Sequence, residues 1–479
     1  MDRRVWEHPI LKFDRGRELF ISMNGKTIKA FEGETVAVAL YAAGVMQFSY
    51  SSVRHRPRGP FCMIGKCSQC FMRVNGIPHV RTCITPVEDR MVVEVESGHD
   101  VDLPTPSRPI EVVPIKKHYD VVIVGAGPAG LKAAIKAGEA GLKVAVLDQS
   151  PYLGGQLIKQ THKFFGTKES YAGMRGIDIA KLLISQVKEF DNIDLYSQAT
   201  VVGYYKKEGV LLAYQMEKLG VYKLLNFTAK SFVIATGAME KNLIFPGDDL
   251  PGVMGAGAAQ TLMNVFGVKP ADKPLIIGAG NVGVIVAYQA AQAGIEVKAV
   301  IDIVSKSAAY LVHSSKIRRM GIPILMRHTI REAYGNGRVE GAVIYQVDDK
   351  FQPIRGSEVD LDVDGVWLAV GLSPSVELLE LMGADIKFVP ELGGYVPLRS
   401  RILETTAQNV FIAGDVSSIE EASTAMMEGT IAGISAAEKA GGNVEKLLEE
   451  RKNAVLWLDE FRSGPHYKRI KEGLQKVLL

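Results

Sequence analysis

Residues 119–148 read YDVVIVGAGPAGLKAAIKAGEAGLKVAVLD, and this stretch decides the fold. Val121 to Val124 is a continuous apolar run with β-branched side chains, the pattern of a strand buried on both faces. Gly125, Gly127 and Gly130 follow at once as G-x-G-x-x-G. The first glycine permits a tight turn, the second lets backbone approach a pyrophosphate, and the third lets the following helix pack close to the strand. Pro128 and Ala129 open that helix, whose unpaired N–H groups and positive dipole end suit phosphate. A second strand, Val144 to Leu147, ends at Asp148, placed to accept from a ribose hydroxyl, with Gln149 beside it. Strand, turn, helix, strand and acid in register predict an α/β dinucleotide-binding domain of Rossmann type.

Further nucleotide-site signals lie downstream. Gly154-Gly155-Gln156 permits close passage of a loop past a bound nucleotide, with Gln156 able to hydrogen-bond a ring system. Val201–Tyr205, Val210–Tyr214 and Lys223–Phe227 suggest a meander, and Ser231 to Gly237 a buried strand ending in Ala235-Thr236-Gly237. Val410-Phe411-Ile412-Ala413-Gly414-Asp415 is another strand, with Asp415 at the C-terminal edge where parallel sheets hold ligands. Between these lies a second fingerprint. Leu275 to Ile277 precedes Gly278, Gly280 and Gly283, and the next strand ends in Asp302, an acid that favours NAD over NADP. A duplicated fold can also keep such glycines for packing while its site is empty, so occupancy of the second site stays open.

The four cysteines all fall between 62 and 83, as Cys62-x4-Cys67-x2-Cys70-x12-Cys83. Such clustering argues for one metal site rather than scattered disulfides. The spacing is that of plant-type [2Fe–2S] ligation, with three thiolates on one short loop and the fourth from a neighbouring strand. Gly65 lets the loop turn, backbone N–H groups can bond the sulfurs, and Arg58, Lys66 and Arg73 would moderate the negative charge. Zinc remains an alternative, although paired C-x2-C knuckles are usual there and only one such pair occurs. Around the cysteines, strand-like segments flank Asn24-Gly25, Glu34–Ala43 has helical spacing, and Met91–Val95 reads as a strand, which together suit a β-grasp module.

With 479 residues, 23% charged and 47% hydrophobic, the composition is that of a globular protein of two to four domains. A net charge of +3 points to neither nucleic acid nor a membrane surface. No apolar run has the length of a transmembrane segment, and the N-terminus lacks a secretory pattern, so a cytoplasmic location is expected. The expected domains are a [2Fe–2S] β-grasp unit at 1–105, a proline-rich linker at 106–118, a first dinucleotide domain at 119–248 and 366–440, and a second at 249–365. A helical tail at 441–479 either packs on its own chain or makes a subunit contact.

A split domain with GAGPAG, Asp148, GGQ, ATG and AGD, interrupted by one with GAGNVG, resembles the glutathione-reductase-like two-dinucleotide flavoproteins over 119–440. That family's redox-active cysteine pair is missing, since no cysteine follows Cys83, so disulfide reduction is excluded. RGPFCMIGKCSQCFMRVNGIPHVRTC is similar to the [2Fe–2S] modules in subunits of multi-chain amine and amino-acid dehydrogenases. These include sarcosine oxidase α, hydrogen cyanide synthase, opine oxidase and dye-linked L-proline dehydrogenases. The arrangement most resembles the α subunits of the last.

The resemblance implies an electron-transfer, nucleotide-binding α subunit of a hetero-oligomeric, flavin-dependent amino-acid dehydrogenase, with proline the leading substrate. A β subunit carrying FAD would oxidise the amino acid, and FMN at the subunit interface would relay electrons through [2Fe–2S] to an external acceptor. Further small subunits belong to some members. The first site would hold FAD, NAD or ATP, and Asp148 stands where FAD-binding cousins usually have Glu. No catalytic acid or base is evident; His162 follows the GGQ loop but is as well read as structural. Two other readings are a self-sufficient NADH:acceptor oxidoreductase and a non-catalytic nucleotide-bound scaffold.

Overall fold

A computed structural model describes residues 2–97, 114–164 and 171–479. The described residues divide into two compact units, one made of those up to 97 with Glu240–Gly371, the other of those from 114 to Met239 with Leu372–Leu479.

In the first unit, a five-stranded mixed sheet runs in the order Lys26–Phe31, Glu18–Met23, Val92–Glu94, Phe71–Val74, Ile77–Arg81. The hairpin turns at Asn24-Gly25, both at positive φ (+48° and +78°), as a two-residue turn of primed type requires. Helix Val36–Ala42 is buried along its whole length, with Thr35 Oγ1 accepting from Val38 N–H at its start. This is the expected β-grasp layout of hairpin, helix and a parallel strand beside the first.

The same unit contains a parallel sheet in the order Val253–Gly255, Gly365–Leu368, Pro274–Ile277, Ala299–Asp302, Ile324–Met326. Strand Gly365–Leu368 sits at its interior, paired with both Val253–Gly255 and Pro274–Ile277. This corrects the assignment of 366–371 to the first dinucleotide domain: the apolar run belongs to the second sheet, and the chain leaves that unit only after Gly371. A buried apolar run carries no label of the sheet it joins.

Ion pairs and backbone bonds tie the β-grasp portion to this second sheet. Asp249, with its carboxylate buried, pairs with Arg56 at 2.9 Å and Arg58 at 3.6 Å. Gly255 N–H donates to the Phe61 carbonyl at 3.0 Å, one residue before Cys62. Tyr41 donates to the Pro270 carbonyl at 3.1 Å. The cysteine loop is therefore fixed to the strand and helix that begin the inserted fold.

The second unit is built on Ile115–Val124, which starts inside the stretch expected as linker; the linker's residues 106–113 lie outside the described ones. Its sheet order is Ile193–Tyr196, Val144–Leu147, Ile115–Val124, Val221–Ile234, then the meander strands Val210–Lys218 and Ala199–Tyr205, with Val410–Ile412 also paired to Val221–Ile234. Val221–Ile234 is one fourteen-residue strand, antiparallel to the meander at one end and parallel to the core strands at the other. Val121, Val122 and Ile123 are fully buried, each contributing about 1.5–3 kcal/mol.

Helix Ala422–Lys439 lies against helix Pro128–Glu139. A Cβ on Gly429 would come within 2.2 Å of the Ala129 carbonyl oxygen, so glycine there sets the approach. The tail forms helices Leu448–Phe461 and Lys468–Gln475, and Ala454 and Leu458 bury into the core of their own unit. Among the described residues no helix is long and apolar enough to cross a membrane.

Candidate functional site

The loop Gly125–Gly130 closes the first turn as the sequence predicts. Gly125 has φ +109°, and a Cβ there would lie 2.2 Å from the Ala235 carbonyl oxygen. At Gly130 a Cβ would lie 1.8 Å from the Gly125 carbonyl oxygen. These two glycines are demanded by the protein itself. Gly127 is different. Its φ is an ordinary −77°, and a Cβ there would meet only the Gly155 Cα, at 3.9 Å. The protein makes no close contact that excludes a side chain at 127, which is the property of a cradle kept open for a ligand. Helix Pro128–Glu139 has no side-chain cap at its N-terminus. Free N–H groups at a helix start suit a pyrophosphate.

Other predicted residues converge here. Gly155 (φ +55°) abuts the loop, since a Cβ on it would lie 2.7 Å from the Gly127 Cα. It begins a short 3-10 turn, Gly155–Lys159, that carries Gln156. Thr236 Oγ1 donates to the Ser375 carbonyl at 2.8 Å, and Gly237 follows at φ +68°. Asp148 Oδ2 accepts from Ala126 N–H at 2.7 Å and Oδ1 from Ser150 N–H at 2.8 Å. The carboxylate thus stitches the glycine loop to the end of the second strand. His162 stacks on Phe164 with ring centroids 5.7 Å apart, a packing role within its loop.

Gly414 and Asp415 sit on a buried ionic support that the sequence alone does not reveal. Glu428, 1% exposed, accepts from Gly414 N–H at 3.0 Å and from the Ser417 hydroxyl at 2.6 Å through one oxygen. Its other oxygen accepts from Arg462 at 2.7 Å. Arg462 also binds Glu420 through Nε at 3.0 Å and Nη2 at 2.7 Å. Burial opposes the Arg462 charge, but Glu428 and Glu420 outweigh it and hold its pKa above the usual arginine value. The signal available is the lone acid in Ala422–Ala437, a run otherwise of small and apolar residues. Its partner lies 34 residues on, beyond any local pattern.

The second glycine loop repeats the first. Gly278 has φ +110° with a Cβ contact of 2.2 Å to the Ala369 carbonyl oxygen, and Gly283 would press its Cβ to 1.9 Å of the Gly278 carbonyl oxygen. Gly280 has nothing within 4 Å of where a Cβ would be. Asp302 Oδ2 accepts from Ala279 N–H at 2.7 Å, and Oδ1 from Val304 N–H at 3.2 Å.

The cysteines come together. Cys62, Cys70 and Cys83 are buried and Cys67 is half-buried. Cys62 lies within hydrogen-bonding reach of Cys67 and Cys83, and Cys83 also of Cys70. The four thiols are therefore linked neighbour to neighbour in the order Cys67, Cys62, Cys83, Cys70. Among the described residues no three or more His, Cys, Asp or Glu side chains surround one point as a single-ion cage. Four linked thiols with no nitrogen or oxygen ligand suit a thiolate-held metal centre, and the Cys62-x4-Cys67-x2-Cys70 spacing is what favours two irons over one zinc.

Backbone N–H groups point at the sulfurs, Gly65 to Cys83 at 3.2 Å and Cys67 to Cys62 at 3.4 Å. The loop winds this tightly through positive φ at Met63, Gly65 and Ser68. The Cys67 thiol draws the pKa of Cys62 down, and the Cys83 thiol does the same to Cys70. Cys67 and Cys83 are pushed up in turn by those neighbours.

A two-dinucleotide oxidoreductase fold with a ferredoxin-type module is thus defined by geometry. Residues 119–429 match the family described as pyridine nucleotide-disulphide oxidoreductase, and the chain belongs to it. Residues 16–98 match the 2Fe-2S iron-sulfur cluster binding domain. The chain is 27% identical over 340 residues to an opine oxidase subunit from Agrobacterium tumefaciens, covering 66% of this chain and 65% of that one. It is 27% identical over 505 residues to sarcosine oxidase subunit alpha of Corynebacterium sp., covering 97% of this chain and 49% of the relative, so it spans about half that length. Among solved structures, L-proline dehydrogenase from P. horikoshii shares the fold over 93% of this chain and 79% of its own, with a TM-score of 0.70 at 23% identity.

Proposed function

We propose that this chain is the electron-transfer, nucleotide-binding subunit of a hetero-oligomeric, flavin-dependent amino-acid dehydrogenase, with proline the leading substrate. The observation that carries the reading is the gathering of four thiols, backed by backbone N–H groups, in a chain that also has an open glycine cradle. Cys62, Cys67, Cys70 and Cys83 would hold the [2Fe–2S] cluster. Gly125, Gly127, Pro128, Ala129, Gly130, Asp148 and Gln149 would hold an adenine nucleotide, FAD or ATP or NAD, with Gly155, Gln156, Thr236, Gly237, Gly414 and Asp415 along its length. When bound, the cluster supplies one-electron transfer, and the flavins supply the change from two-electron to one-electron chemistry. The protein's part is to fix the carriers and their surroundings. Gly65 and Cys67 N–H groups favour negative charge on the sulfurs and so raise the tendency to accept an electron. No acid or base for substrate oxidation is assigned to this chain. In this reading the FAD-bearing subunit oxidises the amino acid, FMN lies between the subunits, and the electrons leave to an external acceptor.

Two relatives named as oxidase subunits support the assignment. The test is to isolate the chain from its native cells under mild conditions and weigh what travels with it. A co-purifying flavoprotein, and dye reduction by proline in the complex, is the expected result. The openness at Gly280 favours a second reading, an NADH:acceptor oxidoreductase using Gly278, Gly280, Gly283 and Asp302. That reading requires a chain that purifies alone and bleaches on adding NADH.

A further inference from the structure

A cavity of about 460 Å³ in the second unit lies on the far side of the Glu428–Arg462 pair, with Arg462 forming part of its wall. It lies among the segment after strand Gly394–Pro397 and the helices Ala422–Lys439, Leu448–Phe461 and Lys468–Gln475. Its volume is within the range of small-molecule sites. Ile431, Val455, Leu458 and Leu474 give it apolar walls.

Arg399 lines this cavity and is only 4% exposed. Its Nη1 donates to the Ser417 carbonyl at 3.1 Å, and among the described residues no other group accepts from the guanidinium and no carboxylate pairs with it. Both acids that could have done so, Glu420 and Glu428, are taken by Arg462. Burial pulls the Arg399 pKa below the usual arginine value; those acids offset this from a distance and Arg462 adds to it. Buried arginines are otherwise paired, because an isolated charge out of water is costly. Lys471 also lines the cavity and has no ion-pair partner among the described residues, whereas Arg401 is held by Asp459.

We propose that this cavity binds a small amphipathic carboxylate. The carboxylate takes the open donors of Arg399, with Lys471 as second cation, and a short apolar body lies against Ile431, Val455, Leu458 and Leu474. Arg462 also lines the cavity but is taken by Glu420 and Glu428, and the single open guanidinium of Arg399 suits a single planar anion more than a polyphosphate. Among the described residues no aromatic side chain lines the walls, which argues against a nucleobase or flavin ring as the occupant.

The test is calorimetric titration of the full chain, purified with its cofactors, using octanoate, octanol and inorganic phosphate as probes. Octanoate is expected to bind saturably at one site per chain, octanol at least about tenfold more weakly. Arg399→Met is expected to cut octanoate affinity about tenfold or more while leaving the melting temperature equal or higher, because it removes an unpaired buried charge. Lys471→Met, at an exposed position, should weaken octanoate about threefold with no effect on folding. The proposal fails if octanoate does not saturate, if it binds both variants like wild type, or if phosphate binds and octanoate does not. It also fails if Arg399→Met unfolds the chain while Lys471→Met binds octanoate unchanged, which would make Arg399 a structural residue. The outcome does not depend on the electron-transfer reading.

Discussion

At Gly125 and at Gly278 the backbone is nearly identical, with φ of +109° and +110°. The Cβ clearances at the first and third glycines agree within 0.1 Å, and Asp148 and Asp302 each accept from the residue after the first glycine at 2.7 Å. The loops part company around the middle glycine. Gly127 is approached by Gly155, and the sheet edge beside it carries the Glu428–Arg462 support under Gly414. Gly280 has open space and no counterpart of that support among the contacts described above. The first and third glycines answer to the fold, so their presence says little about occupancy. The middle glycine answers to the ligand, and its surroundings are where two otherwise equal loops can differ in what they bind.

Substitutions can break this comparison. Gly125→Ala and Gly278→Ala both drive a Cβ into a carbonyl at 2.2 Å with φ near +110°. Each should cost about 4 kcal/mol from backbone strain and overpacking, read as a fall in the urea midpoint. Equal losses are expected, since this is a property of the fold alone. Glu428→Ala leaves the Gly414 N–H and the Ser417 hydroxyl without their acceptor and Arg462 with Glu420 alone, and should cost about 3 kcal/mol. It should also release nucleotide from the first site, as equilibrium dialysis would show. Gly127→Ala and Gly280→Ala should shift stability by less than about 0.5 kcal/mol. Their effect should appear in nucleotide affinity, at least about tenfold at 127. A loss of NADH affinity at 280 would make the second site a working one.

What is legible in the sequence is local. A glycine spacing, an acid at a strand end and a cysteine spacing each lie within a few tens of residues, and local sterics force their geometry. Features that depend on distant pairing are not legible. Val221–Ile234 reads as two strands in sequence because Thr228, Ala229 and Lys230 interrupt its apolar run. Val366–Leu368 joins the second sheet through partners about 90 residues upstream, at Leu275 and beyond, which no window of sequence contains. Glu428, Arg462 and Arg399 escape a sequence reading for the same reason, since an ionic cluster is defined by the fold and not by spacing.

The four cysteines offer a smaller test. Cys67→Ser, at the half-buried position, is expected to lose the cluster's visible absorbance and the iron, about two atoms per chain, with the fold retained. If the cluster lies on the route to the dye, proline-dependent dye reduction by the complex should stop; an unchanged rate would take the cluster off that route.

The most direct test of the central claim is anaerobic reduction followed by visible spectroscopy, on the purified complex and on the isolated chain. The account predicts that proline bleaches the complex and that NADH does not bleach the isolated chain. Bleaching of the isolated chain by NADH, without any partner, would contradict it.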